Sequence, residues 1–292
     1  MKRNFFVIAN PGSGIRNVEA VLRELNDYFV SKKFKFEIFL TAKSRDGWRT
    51  VEKYFTEDYT DLIILGGDGT INEAINGLRH DRPVSIIPTG SGNDFVKNLD
   101  LGHTLEDHIQ VIDHGKIIEV DVGICNGRKF LNGVGIGFDG QIVANMQGQR
   151  TFLRGPARYY YHVLRILATF RARSFSYKID QQKLKKDLIL LCVANGSTFG
   201  GSFRLTPNAD IQDGKLEICE IGKISAIRRF LNIHRLQAGT LDRLRAVSYH
   251  QAETVHIAKN PKLFAHIDGE PLGNPPFDIS IQPKGLKVRV RK

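Results

Sequence analysis

Only three cysteines occur in 292 residues, Cys125, Cys192 and Cys219, far apart and each in an apolar, strand-like run. Such an odd, scattered set builds no disulfide framework and lacks zinc-ligand spacing; it predicts buried, reduced thiols and a cytoplasmic chain. No apolar stretch approaches the ~18 residues of a membrane span, the longest lying near Leu188–Ala194. The early run Phe5–Ala9 ends at Asn10-Pro11-Gly12, too short for the apolar part of a signal peptide. Internal repeats and low-complexity linkers are also lacking. Acidic residues are scarce in one place: none lies between Arg150 and Lys178. What is there is globular in composition, 41% hydrophobic and 25% charged, with a formal charge of +11. That charge is unevenly spread. Residues 1–125 carry 15 basic and 19 acidic residues, net −4, whereas 126–292 carry 27 and 12, net +15.

The change of charge coincides with a change of texture. Up to Cys125, short β-branched or aromatic runs alternate with helical-period segments: strands at Phe5–Ala9, Phe34–Leu40, Leu62–Leu65, Val84–Ile87 and Lys116–Gly123, and helices near 18–30, 49–55, 71–78 and 105–112. Strand and helix in alternation with short connections predict a parallel α/β sheet. Beyond Asn126, two basic helical segments, about 154–171 with Val163, Leu164, Ile166 and Leu167 as its apolar body and about 225–236, are embedded in many short strand-like runs, Phe277–Ile281 and Leu286–Val290 among them, which predicts mostly antiparallel β structure. Two domains are therefore expected, 1–125 and 126–282, with 283–292 available to return to the first.

Three strands of the first half run into glycine turns. Leu62–Leu65 leads to Gly66-Gly67-Asp68-Gly69-Thr70 and then a helix, Val84–Ile87 leads to Pro88-Thr89-Gly90-Ser91-Gly92-Asn93-Asp94, and Phe5–Ala9 leads to Asn10-Pro11-Gly12-Ser13-Gly14. Glycine lets the backbone approach an anion closely, and the first-turn N–H groups of the following helix point at it. A plain strand-to-helix turn needs only one glycine. Asp68 beside a phosphate would repel it unless a divalent cation lies between them, so magnesium is implied. Three such loops would project from the carboxyl edge where open α/β sheets bind ligands. None fits the P-loop or the dinucleotide fingerprint.

Gly66-Gly67-Asp68-Gly69-Thr70, followed by Ile71, Asn72 and Glu73, resembles the nucleotide loop of the diacylglycerol kinase catalytic-domain family, bacterial lipid kinase branch. The segment containing Ser91, Asn93 and Asp94 resembles that family's second signature, and Asn10, Pro11, Gly12, Ser13, Gly14 and Thr41 match further nucleotide-contacting positions. The resemblance covers nearly the whole chain. It implies a NAD kinase/diacylglycerol kinase-like α/β domain with a parallel sheet, a mainly antiparallel β-sandwich, and use of ATP with Mg2+. Pro207–Leu216 is similar to a structural magnesium site, which implies ligation by the Asp213 carboxylate and the backbone carbonyls of Asp210 and Lys215. Phe264–Pro271 resembles the segment with the catalytic base, implying Glu270 or Asp268 in that role. An Asp-Gly hairpin is the plainer alternative there, and the sequence does not separate the two carboxylates. Asp121 resembles an aspartate of the metal network, a strand-end turn being its alternative.

The expected activity is ATP-dependent transfer of the γ-phosphoryl group to a lipid hydroxyl, most simply that of diacylglycerol. NAD kinase-like phosphorylation of a soluble substrate and a nucleotide-regulated membrane-binding protein without catalysis are the alternatives. Arg150, Arg154, Arg158, Arg165, Arg171, Arg173 and Lys178 are interleaved with Phe152, Tyr159, Tyr160, Tyr161, Phe170 and Phe175. Such helices could lie on an anionic membrane, or present a solvated face from a packed helix. Nucleic acid is not expected, because no helix-turn-helix, RRM or zinc pattern accompanies the charge. The expected partner is lipid at an anionic membrane surface, peripherally bound from the cytoplasm, and a homodimer is compatible with the sequence.

Overall fold

The computed structural model describes residues 3–12, 17–42, 45–148, 156–201 and 203–292, with the backbone alone at 147–148 and 156–162. The chain divides into two compact units, Met1–Val122 with Pro283–Lys292, and Gly123–Gln282.

The first unit runs β1 (Asn4–Ala9), α1 (Val18–Ser31), β2 (Lys35–Leu40), α2 (Asp46–Tyr54), β3 (Asp61–Gly66), α3 (Asp68–Gly77), β4 (Val84–Pro88), α4 (Leu105–His114) and β5 (Lys116–Cys125). Strands β2, β1, β3 and β4 pair in that order, all parallel. Residues 5–9 and 62–65 are fully buried, as parallel strands covered on both faces must be. One face packs Phe5, Val7 and Ile63 against Val18, Val21, Leu25 and Phe29 of α1, which recur every third or fourth position. On the other, Phe6 stacks on Phe39 at 4.3 Å and meets Phe55 and Tyr59 edge-on. Asn17 caps α1 by accepting from the Glu19 and Ala20 N–H groups.

The second unit adds β6 (Arg128–Phe130), β7 (Gly133–Gly137), α5 (Phe138–Gly148), α6 (Pro156–Thr169), β8 (Arg173–Ile179), β9 (Gln182–Ala194), β10 (Leu216–Gly222), α7 (Ala226–Leu231), α8 (Ile233–Ala238), β11 (Val247–Ala252), β12 (Thr254–Ile257), β13 (Ala265–Ile267), β14 (Glu270–Gly273) and β15 (Phe277–Val290). Among the described residues its strands pair antiparallel, in the path β14-β13-β7-β9-β8-β12-β15, with β10 beside β9 and β11 beside β10. They form a β-sandwich around Phe130, Val134, Phe175, Val193, Ile218 and Ile257.

Three elements depart from the sequence reading. The basic segment 225–236 is two short helices broken at Asn232, whose side chain bonds the Arg228 carbonyl and accepts from Arg235, competing with the helical ladder. The runs 277–281 and 286–290 are one strand, β15, not two. Lys284 takes a left-handed φ of 53° there and donates its N–H to the buried Asp121 carboxylate at 2.8 Å, an irregularity inside the strand. On α6, Val163, Ile166 and Leu167 are buried, but Leu164 is exposed.

Candidate functional site

The first cluster is built at the carboxyl ends of the parallel strands. Ala9 is in register with Leu40 and Leu65, and Leu65 with Ile87, so the loops that follow leave the sheet at one level. The Asn10 N–H donates to the Leu65 carbonyl at 3.1 Å, the Thr41 N–H to the Ala9 carbonyl at 2.9 Å, and the Thr89 N–H to the Gly66 carbonyl at 3.0 Å. Asn10 also reaches Thr70 Oγ1 with its side-chain amide at 3.4 Å. Glycine is required where the two main loops meet. A Cβ on Gly90 would stand 2.5 Å from the Gly67 Cα and 2.7 Å from Asn93 Oδ1, and one on Gly66 would stand 2.4 Å from the Thr70 Cβ. Backbone therefore lies against backbone, and α3 begins at Gly67 with no side-chain cap. The first-turn N–H groups of a helix that opens on glycine can face an anion.

The other residues singled out from the sequence divide by what they touch. Asp68 is half-buried and accepts from the Phe95 N–H at 3.3 Å. Asn93 takes a left-handed φ of 50°, donates to the Gly90 carbonyl at 2.7 Å, and keeps its buried Oδ1 without a hydrogen-bond partner. Pro11, Gly12 and Ser91 are exposed or nearly so, and Gly69 lies in the first turn of α3. Ser13 and Gly14 lie outside the described residues. Three side chains turn to neighbours in their own unit. Asn72 is buried and bonded by Asn76, Asp94 accepts from Lys97 at 2.9 Å, and Ile71 is core. Glu73 accepts the Arg45 N–H at 2.6 Å and the Gly47 N–H at 2.9 Å, capping the otherwise uncapped α2 with a carboxylate from α3.

The second cluster lies in the second unit, where β13 turns into β14. Asp268 and Gly269 both adopt left-handed φ, 47° and 84°. The Asp268 carboxylate accepts three backbone N–H groups, from Leu131 at 2.8 Å, Asn132 at 3.0 Å and Gly133 at 2.9 Å, and its own N–H donates to the Gly133 carbonyl. Glu270 is partly exposed and paired with Arg128. One carboxylate is thus consumed by the scaffold and the other is presented. The sequence reading missed Arg128, for which no local pattern exists.

In Pro207–Leu216, Asp210 accepts the Gln212 N–H at 3.0 Å and Asp213 the Lys215 N–H at 2.9 Å, with Asp210, Asp213 and Lys215 all exposed. Among the described residues no group of three or more His, Cys, Asp or Glu gathers to hold a metal. The donors that the resemblance implies here, one carboxylate and two backbone carbonyls, are all oxygen, the kind magnesium takes. The residues at the glycine loops also fit a magnesium–phosphate group: Gly66 and Gly90 have no room for a Cβ, and Asn93 Oδ1 is an orphaned buried acceptor. The three cysteines are buried and unpaired, and burial pushes the Cys125 and Cys219 thiols up to about 12, which keeps them inert. No described helix is long and apolar enough to cross a membrane.

A parallel α/β unit ending in a glycine-built cradle, joined to an antiparallel β-sandwich, defines the NAD kinase/diacylglycerol kinase-like class of fold. Residues 132–290 match the family described as the YegS C-terminal NAD kinase beta sandwich-like domain, and residues 4–125 match the diacylglycerol kinase catalytic domain. The chain belongs to this bacterial lipid kinase family. It is 26% identical over 290 residues to a diacylglycerol kinase of Staphylococcus carnosus, covering 96% of this chain and 92% of that one. It is 27% identical over 287 residues to one of Staphylococcus aureus, covering 96% and 90%. Among solved structures it resembles a putative diacylglycerol kinase from Bacillus anthracis, with TM-score 0.78, 23% identity and coverage of 99% and 97%. An NAD kinase from Archaeoglobus fulgidus in complex with ATP has TM-score 0.53 and 12% identity, covering 99% and 93%.

Proposed function

We infer that the protein transfers the γ-phosphoryl group of ATP to a lipid hydroxyl at an anionic membrane surface, with diacylglycerol as acceptor and phosphatidic acid as product. The observation that carries this reading is the cradle where Gly90 lies against Gly67, a Cβ on Gly90 standing 2.5 Å from the Gly67 Cα, so that bare backbone is open to close approach of phosphate oxygens. The acceptor is taken from the names of the staphylococcal relatives. On the protein's side, the glycine loops hold the donor by backbone N–H groups, and Glu270, oriented by Arg128, removes the acceptor proton as its oxygen attacks phosphorus. Magnesium, when bound, would neutralise phosphate charge beside Asp68, and a second ion would brace the loop at Asp210, Asp213 and Lys215.

Membrane docking is supported by the outer surface of the second unit. Ile227, Leu231 and Leu164 are 73%, 67% and 50% exposed, with Phe230 also exposed, and the neighbouring residues in sequence Arg228 and Arg165 are exposed cations. Arg229 ties α7 to α6 by donating to the Leu167 carbonyl at 2.9 Å. Apolar side chains flanked by cations suit insertion between anionic headgroups. Arg150, Phe152 and Arg154, and the side chains of Arg158, Tyr159, Tyr160 and Tyr161, lie outside the described residues.

The test is incubation with radiolabelled ATP, magnesium and vesicles containing diacylglycerol. Label is expected in lipid, with more transfer on anionic than on neutral vesicles at low salt. Labelling of soluble NAD with none in lipid would instead support the NAD kinase-like alternative, and ATP and vesicle binding without any transfer the non-catalytic one. Gly90→Ala forces a methyl group into the facing Gly67 backbone, and overpacking of this kind costs about 1–3 kcal/mol. It is expected to weaken ATP binding about tenfold or more, read by calorimetry.

A further inference from the structure

Two successive left-handed residues hold Glu270 at the start of β14, and two side chains brace them. Asp268 binds the turn on one side through the Leu131, Asn132 and Gly133 N–H groups. On the other side the Gly269 N–H donates to Nδ1 of His266 at 3.2 Å. His266 is 6% exposed, and its Nε2 faces Asp139 Oδ2 at 3.2 Å. An Nδ1 that accepts a hydrogen bond carries no proton, so the proton is on Nε2 and is donated to Asp139. Asp139 is itself fixed in the first turn of α5, where its other oxygen accepts the Gly140 N–H at 2.8 Å. Room for the pair is made by Gly135, which lies in register with His266 across β7 and β13. A Cβ on Gly135 would stand 1.8 Å from Asp139 Oδ2 and 2.4 Å from His266 Nε2.

We propose that His266, held in the Nε2–H tautomer by Asp139, is a positioning residue that sets Glu270 through the Gly269 amide. His266 touches no reacting atom and transfers no proton. It supplies one acceptor at one point, without which the strained Asp268-Gly269 backbone is braced from one side only. The inference rests on the phosphoryl-transfer reading for its kinetic consequence but not for its structural one.

The two amide replacements of histidine separate the roles of its nitrogens. The oxygen of His266→Asn falls near Nδ1 and can still accept the Gly269 N–H, whereas His266→Gln places its amide near Nε2 and leaves Gly269 without an acceptor. Full-length His266→Gln is expected to lower kcat about 10- to 100-fold, the size of effect that misplacing a catalytic group produces, with KM for ATP unchanged. His266→Asn is expected to retain kcat within about threefold of the parent, a difference of under 1 kcal/mol in barrier. Hydrogen–deuterium exchange at the Gly269 amide is expected to be slow in the parent and in His266→Asn, and fast in His266→Gln. Equal kcat in the two variants, or a greater loss in His266→Asn, overturns the proposal. A parent enzyme that labels no lipid defeats the proposed function instead, and the exchange at Gly269 still decides for or against His266 as the brace.

Discussion

Glu270→Gln is expected to lower the turnover of lipid phosphorylation by about 10²- to 10⁴-fold, the usual contribution of a positioned general base, while leaving ATP affinity near that of the parent. The amide keeps the size of the side chain and loses the basic oxygen. Its pairing with Arg128 is partly exposed, 21% and 32%, so the loss of that pair costs at most about 1 kcal/mol of stability. Asp268→Asn is expected to behave in the opposite way. Three backbone N–H donors converge on the Asp268 carboxylate, and an amide opposes one of them with its own N–H. Leaving a buried donor without its acceptor costs about 1–3 kcal/mol. Urea unfolding with steady-state kinetics on both variants distinguishes the roles: Glu270→Gln should be stable and nearly inactive, Asp268→Asn measurably less stable. Full activity in Glu270→Gln would remove Glu270 as the base.

Asp61→Asn is expected to destabilise the first unit by about 3–5 kcal/mol, the cost of removing one partner from a buried charge cluster. Asp61 is 1% exposed at the start of β3 and binds Arg3 at 2.8 Å, Arg289 at 2.6 Å and the Thr60 hydroxyl at 2.6 Å. These contacts join the first strand, the third and the end of β15. Burial pushes the Asp61 carboxyl up, but hydrogen bonds from Arg3 and Thr60 and the charges of Arg289 and Arg3 outweigh it and hold it below the usual carboxylate range. The sign follows from linkage. A carboxyl lowered by folding contributes stability that is fully present above its unfolded pKa of about 3.9 and is lost as pH falls through the lower, folded value. Urea midpoints in steps from pH 7 downward should therefore fall in the parent below about pH 4. Asp61→Asn should start lower and show a shallower acid decline. A loss under about 1 kcal/mol at pH 7 would mean that the two arginines find water as good a partner.

Much of the fold was legible because its signals are local. Runs such as Leu62–Leu65 need no partner to be recognised as buried strands, and three glycines around Asp68 exceed the one that an ordinary turn needs. The clusters were legible as motifs but not as contacts. Glu73 follows the nucleotide loop directly, yet its carboxylate serves a helix that begins 27 residues earlier, and no pattern in the loop says so. Asp268 and Glu270 are two residues apart in a hairpin-like string. What separates them is the backbone at 131–133, more than 130 residues away in the chain. His266 and Asp139 each look unremarkable alone, and Gly135 acquires its reason only from the pair it makes room for. Residues 277–281 and 286–290 read as separate strand-like runs because nothing local shows that the Asp121 carboxylate binds the Lys284 N–H between them.

By itself the sequence determined the alternation that makes the first unit parallel, the antiparallel character of the second, the inert thiols and the glycine loops at the sheet edge. These follow from periodicity, residue size and backbone freedom, which act over a few residues. Only the tertiary structure decided that Gly90 lies on Gly67, that Asp268 is spent on backbone amides while Glu270 is not, and that Arg3 and Arg289 share Asp61. Hydrogen bonds and close packing act over 3–4 Å, and which residues come that near is settled by the folded chain and not by their spacing along it.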